Sequence, residues 1–459
     1  MSMKVRPTQS LDELRAEGVA LRKQMPRREH GKLVLPERDV VAILEDQHRS
    51  RLQDLVPVRV GRMLQSPFAL YRGSAAVMAH DLADAPCTGV EVIACGDAHV
   101  SNFGLYATPE RTLAFDLNDF DEASNAPWEW DVKRLAASAY IGALDTGLRT
   151  DQARDIARAS VTTYREIITV MMGMTALERY YYAGETTWMQ QTLGSDSQRM
   201  VRQVTRKAKR NTSERMLEKI DLETVDGRVR IVDEPPIMRH DPYLTEDVTN
   251  LLMGEYLSTV RADIAVLLSQ FTPIDTVLRV VGVGSVGTRC YIQLLTGPSN
   301  EPFFLQIKEA QPSVLESHGG RPSAIRKRAP RVRRGLNGFR VICCQRTLQA
   351  ASDPFLGYIA VNGRDYYLRQ FRDMKGSLDL SVLDAGQFEQ YARLCGALLA
   401  RGHSQSATAG IIEGYLLDSA RFDDAIADWA VAYGEVVERD FEAVEAAVKS
   451  GRLPIERGV

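Results

Sequence analysis

Gly96-Asp97-Ala98-His99-Val100-Ser101-Asn102 decides how the rest of the chain is read. The stretch follows the apolar run 90–94, so a strand is expected to deliver Asp97 into a tight loop. Residues 103–106 and 112–116 read as two further strands joined by Thr108-Pro109-Glu110-Arg111. That hairpin closes on Asp116-Leu117-Asn118-Asp119-Phe120-Asp121-Glu122. An Asp and an Asn five residues apart on one loop set a proton acceptor beside an amide oxygen that suits a cation, and a later carboxylate suits Mg²⁺. The competing reading is a polar turn in which Asp97 and Asn102 bond their own backbone. Four acids in seven residues repel one another unless a cation or basic partner is near, which favours the metal. Two carboxylates compete for that role. Asp119 belongs to the triplet Asp119-Phe120-Asp121, whereas Asp116 stands closer to the usual separation of a metal-holding Asp from the Asn.

Gly282-Val283-Gly284-Ser285-Val286-Gly287, far downstream, reads as a glycine turn. In a dinucleotide fold a helix starts directly after the last glycine. Here Thr288-Arg289-Cys290-Tyr291-Ile292-Gln293-Leu294-Leu295 continues as a strand. Strand, glycine turn and strand are what kinases lay over nucleotide phosphates; an ordinary β-turn is the simpler alternative. Gly282, Gly284, Ser285 and Gly287 are therefore the candidate phosphate cover. Lys308 ends the apolar run Phe303-Phe304-Leu305-Gln306-Ile307-Lys308 and is the candidate phosphate anchor, since a lysine there needs an anionic partner. A solvent-facing lysine on an edge strand is its alternative. Glu316 is the nearest candidate acid for Lys308, with Glu309 adjacent, because the helix expected over 336–351 contains no Glu. Kinases carry the glycine turn and lysine ahead of the Asp–Asn loop. Here they follow it, so a circular permutation is expected and Lys308 must meet Asp119 across the chain.

A chain of 459 residues holds two or three lobes with real cores. The net charge of −3 gives no case for nucleic acid or an anionic membrane. Six cysteines without C-x-x-C spacing read as reduced thiols. With no signal-like start and no run of ~20 apolar residues, the expected location is the cytoplasm, away from the membrane. Periodicity predicts helices within 11–56 and over 74–82, 128–172, 245–271, 387–403 and 422–449. Strands are expected at 277–283, 290–295, 303–307, 357–361 and 366–371. Residues 176–245 are polar and mixed, with a basic run at 206–210 and the hairpin-like Val225-Asp226-Gly227-Arg228-Val229.

The expected division is an N-terminal helical region (1–75), a helical lobe with the Asp97 loop and acidic hairpin (76–271), a small β-rich lobe (272–375) and returning helices (376–459). The helix over 387–403 is expected under the Asp97 loop, and 369–373 as a hinge. Asp131, in Trp128-Glu129-Trp130-Asp131-Val132-Lys133-Arg134-Leu135, caps a helix or braces the Asp97 loop through backbone N–H groups. Arg72 pairs a phosphate, the acidic cluster or a surface acid. Residues 321–340 carry eight basic side chains and no acid but lack interleaved aromatics, so they read as a solvated loop rather than a nucleic-acid surface.

Taken together, these residues resemble a bacterial family known as domain of unknown function 2252. The resemblance covers nearly the whole chain. It is carried by Arg59-Val60-Gly61-Arg62-Met63, Tyr71-Arg72-Gly73, the loop from Gly96 to Gly104, the acidic cluster, Trp130-Asp131-Val132-Lys133-Arg134-Leu135-Ala136, the glycine turn, Gln349-Ala350-Ala351-Ser352-Asp353 and Arg369-Gln370-Phe371-Arg372-Asp373-Met374-Lys375-Gly376-Ser377. That family looks distantly protein-kinase-like, and its G-D-x-H-x-x-N loop is similar to that of aminoglycoside and choline phosphotransferases, with His99 at the His position. The resemblance implies an α+β, two-lobed, kinase-like fold, circularly permuted, with a large helical and a small β lobe. The expected activity is Mg²⁺-dependent transfer of a phosphoryl group from ATP to a small-molecule or protein hydroxyl. Asp97 is the expected base, and Asn102 with Asp119 or Asp116 the metal ligands. The alternatives are a pseudokinase that holds a nucleotide without transfer, or a metal-dependent phosphohydrolase that uses the acidic hairpin alone.

Overall fold

The computed structural model describes residues 9–182, 205, 213–280, 282–325, 336–371 and 376–458. The basic run 206–210, residues 326–335 of the basic segment and residues 372–373 of the expected hinge lie outside the described residues.

Five helices come first: α1 (Leu11–Gln24), α2 (Val40–His48), α3 (Val56–Met63), α4 (Pro67–Gly73) and α5 (Ala75–Leu82). Strand β1 (Glu91–Ala94), the hairpin β2 (Phe103–Ala107) and β3 (Leu113–Leu117), and β4 (Ser124–Pro127) follow. Next come α6 (Trp128–Asp145), α7 (Thr150–Met172), α8 (Ala176–Tyr181) and α9 (Ser213–Leu217). The hairpin β5 (Leu222–Val225) and β6 (Arg228–Ile231) turns through Asp226 and Gly227, both at positive φ. After β7 (Met238–Arg239), α10 (Glu246–Leu257) and α11 (Ala262–Leu268), the chain enters its largest sheet. That sheet is built from β8 (Thr272–Arg279), β9 (Cys290–Thr296), β10 (Pro302–Glu309), β11 (Gly357–Val361) and β12 (Arg364–Gln370), with α12 (Val314–Ser317) and α13 (Asn337–Leu348) inserted. Helices α14 (Ala385–His403), α15 (Ala409–Leu416) and α16 (Arg421–Lys449) end the fold. The protein is mixed α+β, and its described strands form small sheets and no barrel.

The six-stranded sheet runs β11-β12-β10-β9-β8-β7 and every pairing is antiparallel. Lys308 therefore lies on a central strand, paired with Cys290 on one side and Tyr367 on the other, not on an edge. Several expected boundaries move. The strand expected at 277–283 ends at Arg279, before the glycine turn. The helix expected over 245–271 is two helices, and the one over 128–172 breaks at Gly147, where φ is +85°. Strand β4 escapes a propensity reading because Ser-Asn-Ala-Pro is turn-like. It forms because β1 offers it a paired register from Glu91–Pro127 to Ala94–Ser124.

Helices α6, α7, α14 and α16 enclose the main core. Trp128 is fully buried there, stacked on Tyr164 with ring centroids 5.8 Å apart, and its indole N–H donates to Thr88 at 3.1 Å. A second core, from Leu278, Tyr291, Leu305 and Leu368, lies on the sheet and takes in Leu55 and Val58 from the N-terminal helices. Among the described residues no helix is long and apolar enough to cross a membrane.

Helix α1 closes on α15 at very short range. A Cβ on Gly414 would stand 2.2 Å from the Arg15 carbonyl oxygen, while Arg15 itself pairs the buried Glu413 at 2.7 Å. Gly414→Ala is expected to cost ~1–3 kcal/mol, the usual range for overpacking. Denaturant unfolding reads this as a lower midpoint. An unchanged midpoint would mean α1 is not seated there.

Candidate functional site

Strand β1 delivers the chain into the Asp97 loop at Gly96, where φ is +76° and a Cβ would meet the Glu122 carbonyl oxygen at 2.3 Å. Only glycine fits both demands. Asp131 then fixes the loop, accepting the Cys95 N–H at 2.6 Å and the Gly96 N–H at 2.9 Å. It lies inside the first turn of α6 rather than at its N-cap, so bracing, not capping, is its role. His403 reaches it from α14 at 3.1 Å, and Tyr164 holds the other ring nitrogen at 2.8 Å. Tyr391, also on α14, donates to the Val100 carbonyl at 2.7 Å, so this helix does lie under the loop.

Asp97 keeps one face toward the cleft. Its Oδ1 accepts Arg134 Nε at 2.9 Å and lies 2.8 Å from Arg134 Nη2; its Oδ2 stands 3.7 Å from His99 Nε2. Burial draws His99 down to about 4, against the pull of Asp97, so its ring is neutral at pH 7. His99 Nδ1 is buried without a partner.

Asn102 ties the two halves of the site together. Its Nδ2 donates to the Asp97 and Asp119 carbonyls, both at 3.0 Å, and its Oδ1 accepts the Asp119 N–H at 2.8 Å. Across the cleft Lys308 Nζ stands 3.2 Å from Asp119 Oδ2 and 2.7 Å from Asp121 Oδ2. Tyr367 donates its hydroxyl to the other Asp121 oxygen at 2.7 Å. Burial works against the charge on both Lys308 and Asp119. Their mutual attraction outweighs it, with Asp121 adding to the pull on Lys308 and Arg369 to that on Asp119. Lys308 is thereby raised well above its ordinary value and Asp119 is held well below the usual carboxylate range.

Two assignments need correction. Asp116 does not reach the cleft that Asn102 and Asp119 line: it is 1% exposed, and its oxygens accept the Leu117 and Ala350 N–H groups, both at 2.9 Å. It pins β3 to the segment after α13. Glu316 does not hold Lys308 either. It lies 3.9 Å from Arg340 Nε and accepts a long hydrogen bond from Ser124 at 3.5 Å. Nor does the neighbouring Glu309, which pairs Arg289 at 3.2 Å and Arg364 at 2.7 Å. The partners of Lys308 come instead from the acidic hairpin. Helix α13, which carries no Glu, contributes a cation instead: Arg340, fully buried, donates to the Asp121 carbonyl at 2.8 Å and to the Ala123 carbonyl.

The glycine turn joins β8 to β9 and is held from outside. Arg62 donates to the Gly282 carbonyl at 2.6 Å, Arg51 to the Val286 carbonyl at 2.5 Å, and the Leu52 N–H to the Gly287 carbonyl at 2.7 Å. Asp97, His99, Asn102, Asp119, Lys308, Gly282, Gly284 and Ser285 line one cleft of about 1040 Å³. Arg72, Asp121 and Arg369 line it as well, whereas Gly287, Asp131, Asp116 and Glu316 stand outside its wall. Asp121 and Arg369 are the residues that sequence reasoning missed. For Asp121 a signal existed, because Asp119 and Asp121 flank the buried Phe120 at the spacing that sends alternate side chains to one face.

Among the described residues no group of three or more His, Cys, Asp or Glu is arranged to hold a metal unaided. What the cleft offers is a pair of carboxylates already wrapped around one positive charge, which fits an ion that takes its remaining ligands from phosphate and water.

The corrected roles separate by stability. Asp131→Ala leaves two backbone N–H groups unpaired under the loop, and Asp116→Ala two more beside β3. Each is expected to lose ~1–3 kcal/mol or more in chemical denaturation, the cost of stranded buried donors. Wild-type stability in Asp131→Ala would remove its bracing role.

No curated protein and no solved structure matches the chain. A family model does, over residues 51–447, under the description of an uncharacterized protein conserved in bacteria. These residues are most of the chain and span the Asp97 loop, the acidic hairpin, the glycine turn and Lys308, so the protein belongs to the DUF2252 family.

Proposed function

We propose that the protein is an ATP-dependent phosphotransferase with a two-lobed, circularly permuted, kinase-like build, acting on a hydroxyl acceptor. The observation that carries this reading is the 3.2 Å approach of Lys308 to Asp119, in a cleft that also presents Asp97, Asn102 and the glycine turn. Lys308 lies on β10, the second strand after that turn, as the phosphate-pairing lysine of a kinase does. Asp119-Phe120-Asp121 then stands for the metal-holding triplet, and Asp97 with Asn102 for the catalytic loop.

In this mechanism Asp97 orients the acceptor hydroxyl and takes its proton. The acceptor oxygen bonds to the γ-phosphorus, the bond to the β,γ-bridging oxygen breaks, and its electron pair leaves with ADP. Arg134 keeps Asp97 aimed, because it occupies one carboxylate oxygen and leaves the other toward the cleft. Backbone N–H groups of the glycine turn cover the phosphates, and Lys308 leaves its carboxylates to hold the nucleotide. Asp119, Asp121 and Asn102 would hold Mg²⁺, which supplies neutralisation of phosphate charge.

A second reading, nucleotide binding without transfer, is favoured by one observation. Helix α13 brings Arg340 rather than an acid, so among the described residues only the proposed metal carboxylates hold Lys308. Mg²⁺-dependent ATP turnover against a panel of hydroxyl metabolites and protein acceptors separates the two. Binding without turnover on any acceptor selects the second reading. Phosphomonoester hydrolysis that survives Lys308→Ala would replace both with a hydrolase.

Two substitutions test the roles. Asp97→Asn should keep Mg·ATP affinity and lose ~10²–10⁴ in turnover, because a base acts on the acceptor and not on ATP. Asp119→Asn should weaken the Mg²⁺ dependence of ATP binding. Calorimetric titration with and without Mg²⁺ reads both, and wild-type behaviour in each would make the loop structural.

A further inference from the structure

Arg72 is a charge that the roles above leave unused. Its Nε is buried without a hydrogen-bond partner, and its side chain lines the same cleft as Asp97, His99 and Ser101. The guanidinium lies 5.9 Å from the Phe68 ring centroid. The other buried arginines nearby are structural, since Arg59 and Arg134 each hold a carbonyl of this segment. Arg59 Nη2 donates to the Gly73 carbonyl at 2.8 Å and Arg134 Nη2 to the Tyr71 carbonyl at 2.7 Å. Arg72 is thus fixed by its backbone on both sides while its own head group holds no such group among the described residues.

Its position is set relative to both ends of the reaction. Arg134 bonds Asp97 as well as the Tyr71 carbonyl, so one guanidinium keeps Asp97 and Arg72 in register. On the other side, the Arg72 carbonyl oxygen lies 3.5 Å from where a Cβ on Gly284 would stand, against the glycine turn. Burial pulls the Arg72 guanidinium below its ordinary value and the Asp97 charge opposes that, so the two groups act on each other across the cleft.

We propose that Arg72 clamps the γ-phosphoryl group as it passes from ATP to the acceptor, an arginine finger supplied in cis. The inference rests on the phosphotransferase reading and adds a residue to it. A transferring phosphoryl group spreads charge over its equatorial oxygens, and a planar, permanently charged fork meets that charge better than an ammonium does. Held by a fixed backbone, the fork needs no reorganisation at the moment of transfer. Arg72 forms no covalent bond and takes no proton; the bonds made and broken are those of the transfer itself.

The test uses the full-length protein and does not require the acceptor. Calorimetry compares binding of Mg·ADP with binding of Mg·ADP plus aluminium fluoride, which mimics the phosphoryl group in flight. Wild type is expected to gain ~10²-fold in affinity from the fluoride, as transition-state mimics do. Arg72→Lys and Arg72→Gln should lose about tenfold or more of that gain while binding Mg·ADP within about threefold of wild type. Both variants should keep the wild-type unfolding midpoint, because no described hydrogen bond is lost. A full gain in both variants overturns the role of Arg72 and leaves the phosphotransferase reading standing. A wild type that binds Mg·ADP without any gain also overturns the clamp. A wild type that binds neither ligand overturns the parent reading and the clamp with it.

Discussion

A lysine ammonium that is 2% exposed is the constraint on which the site turns. Burying such a charge without a partner costs several kcal/mol, and the usual outcome is loss of the proton. Lys308 keeps its proton because two carboxylates from the acidic hairpin, nearly 190 residues away in sequence, close on it. The same contact solves the hairpin's own problem, since Asp119 and Asp121 could not stand so close without a cation between them. Sheet and hairpin are therefore mutually dependent. Neither charge set is tolerable alone, and their meeting forms the cleft.

The supports around this contact come from three separate stretches of chain. Residues 51–62 hold the glycine turn, α13 holds the backbone of the acidic hairpin through Arg340, and α14 holds the Asp97 loop through Tyr391 and His403. Arg51, Arg62, Arg340 and Tyr391 each satisfy a backbone carbonyl of a loop, and His403 holds the Asp131 carboxylate that braces one. Loops so held present their remaining polar atoms to the cleft with little freedom to rearrange.

Much of this was legible in the sequence, and what was not has a physical explanation. The hairpin β2–β3, the strands of the large sheet and the helices α14 and α16 announce themselves by local periodicity, a property of neighbours along the chain. Asp97, Asn102 and Lys308 were singled out by residue type, and the fold brings all three to one cleft. The partner of Lys308 was sought in Glu316, a few residues downstream, although an ion pair in a folded chain is set by distance in space. Asp116 was weighed as a ligand on its separation from Asn102, but on β3 its side chain turns into the protein and meets the Ala350 N–H. Asp121 was passed over because a third acid in a crowded cluster looks redundant until a buried cation needs two. Arg134 and Arg340 give no signal in one sequence, since a buried arginine that serves carbonyls looks like any other helical arginine.

The Tyr391 contact has a consequence for how the protein is made. Val100 and Tyr391 are 291 residues apart, and Asp131 waits 272 residues for His403. At ordinary synthesis rates of ~5–20 residues per second, the Asp97 loop leaves the ribosome roughly 15–60 s before its supports exist. For the first part of that interval the nascent chain carries an acidic hairpin without its lysine, and throughout it a loop without its floor. A truncated product that ends short of α14 thus has every residue of the Asp97 loop and none of its α14 supports. Quality control in the cell meets this chain as a partial fold until α14 emerges, and the completeness of the site reports that translation has passed that helix.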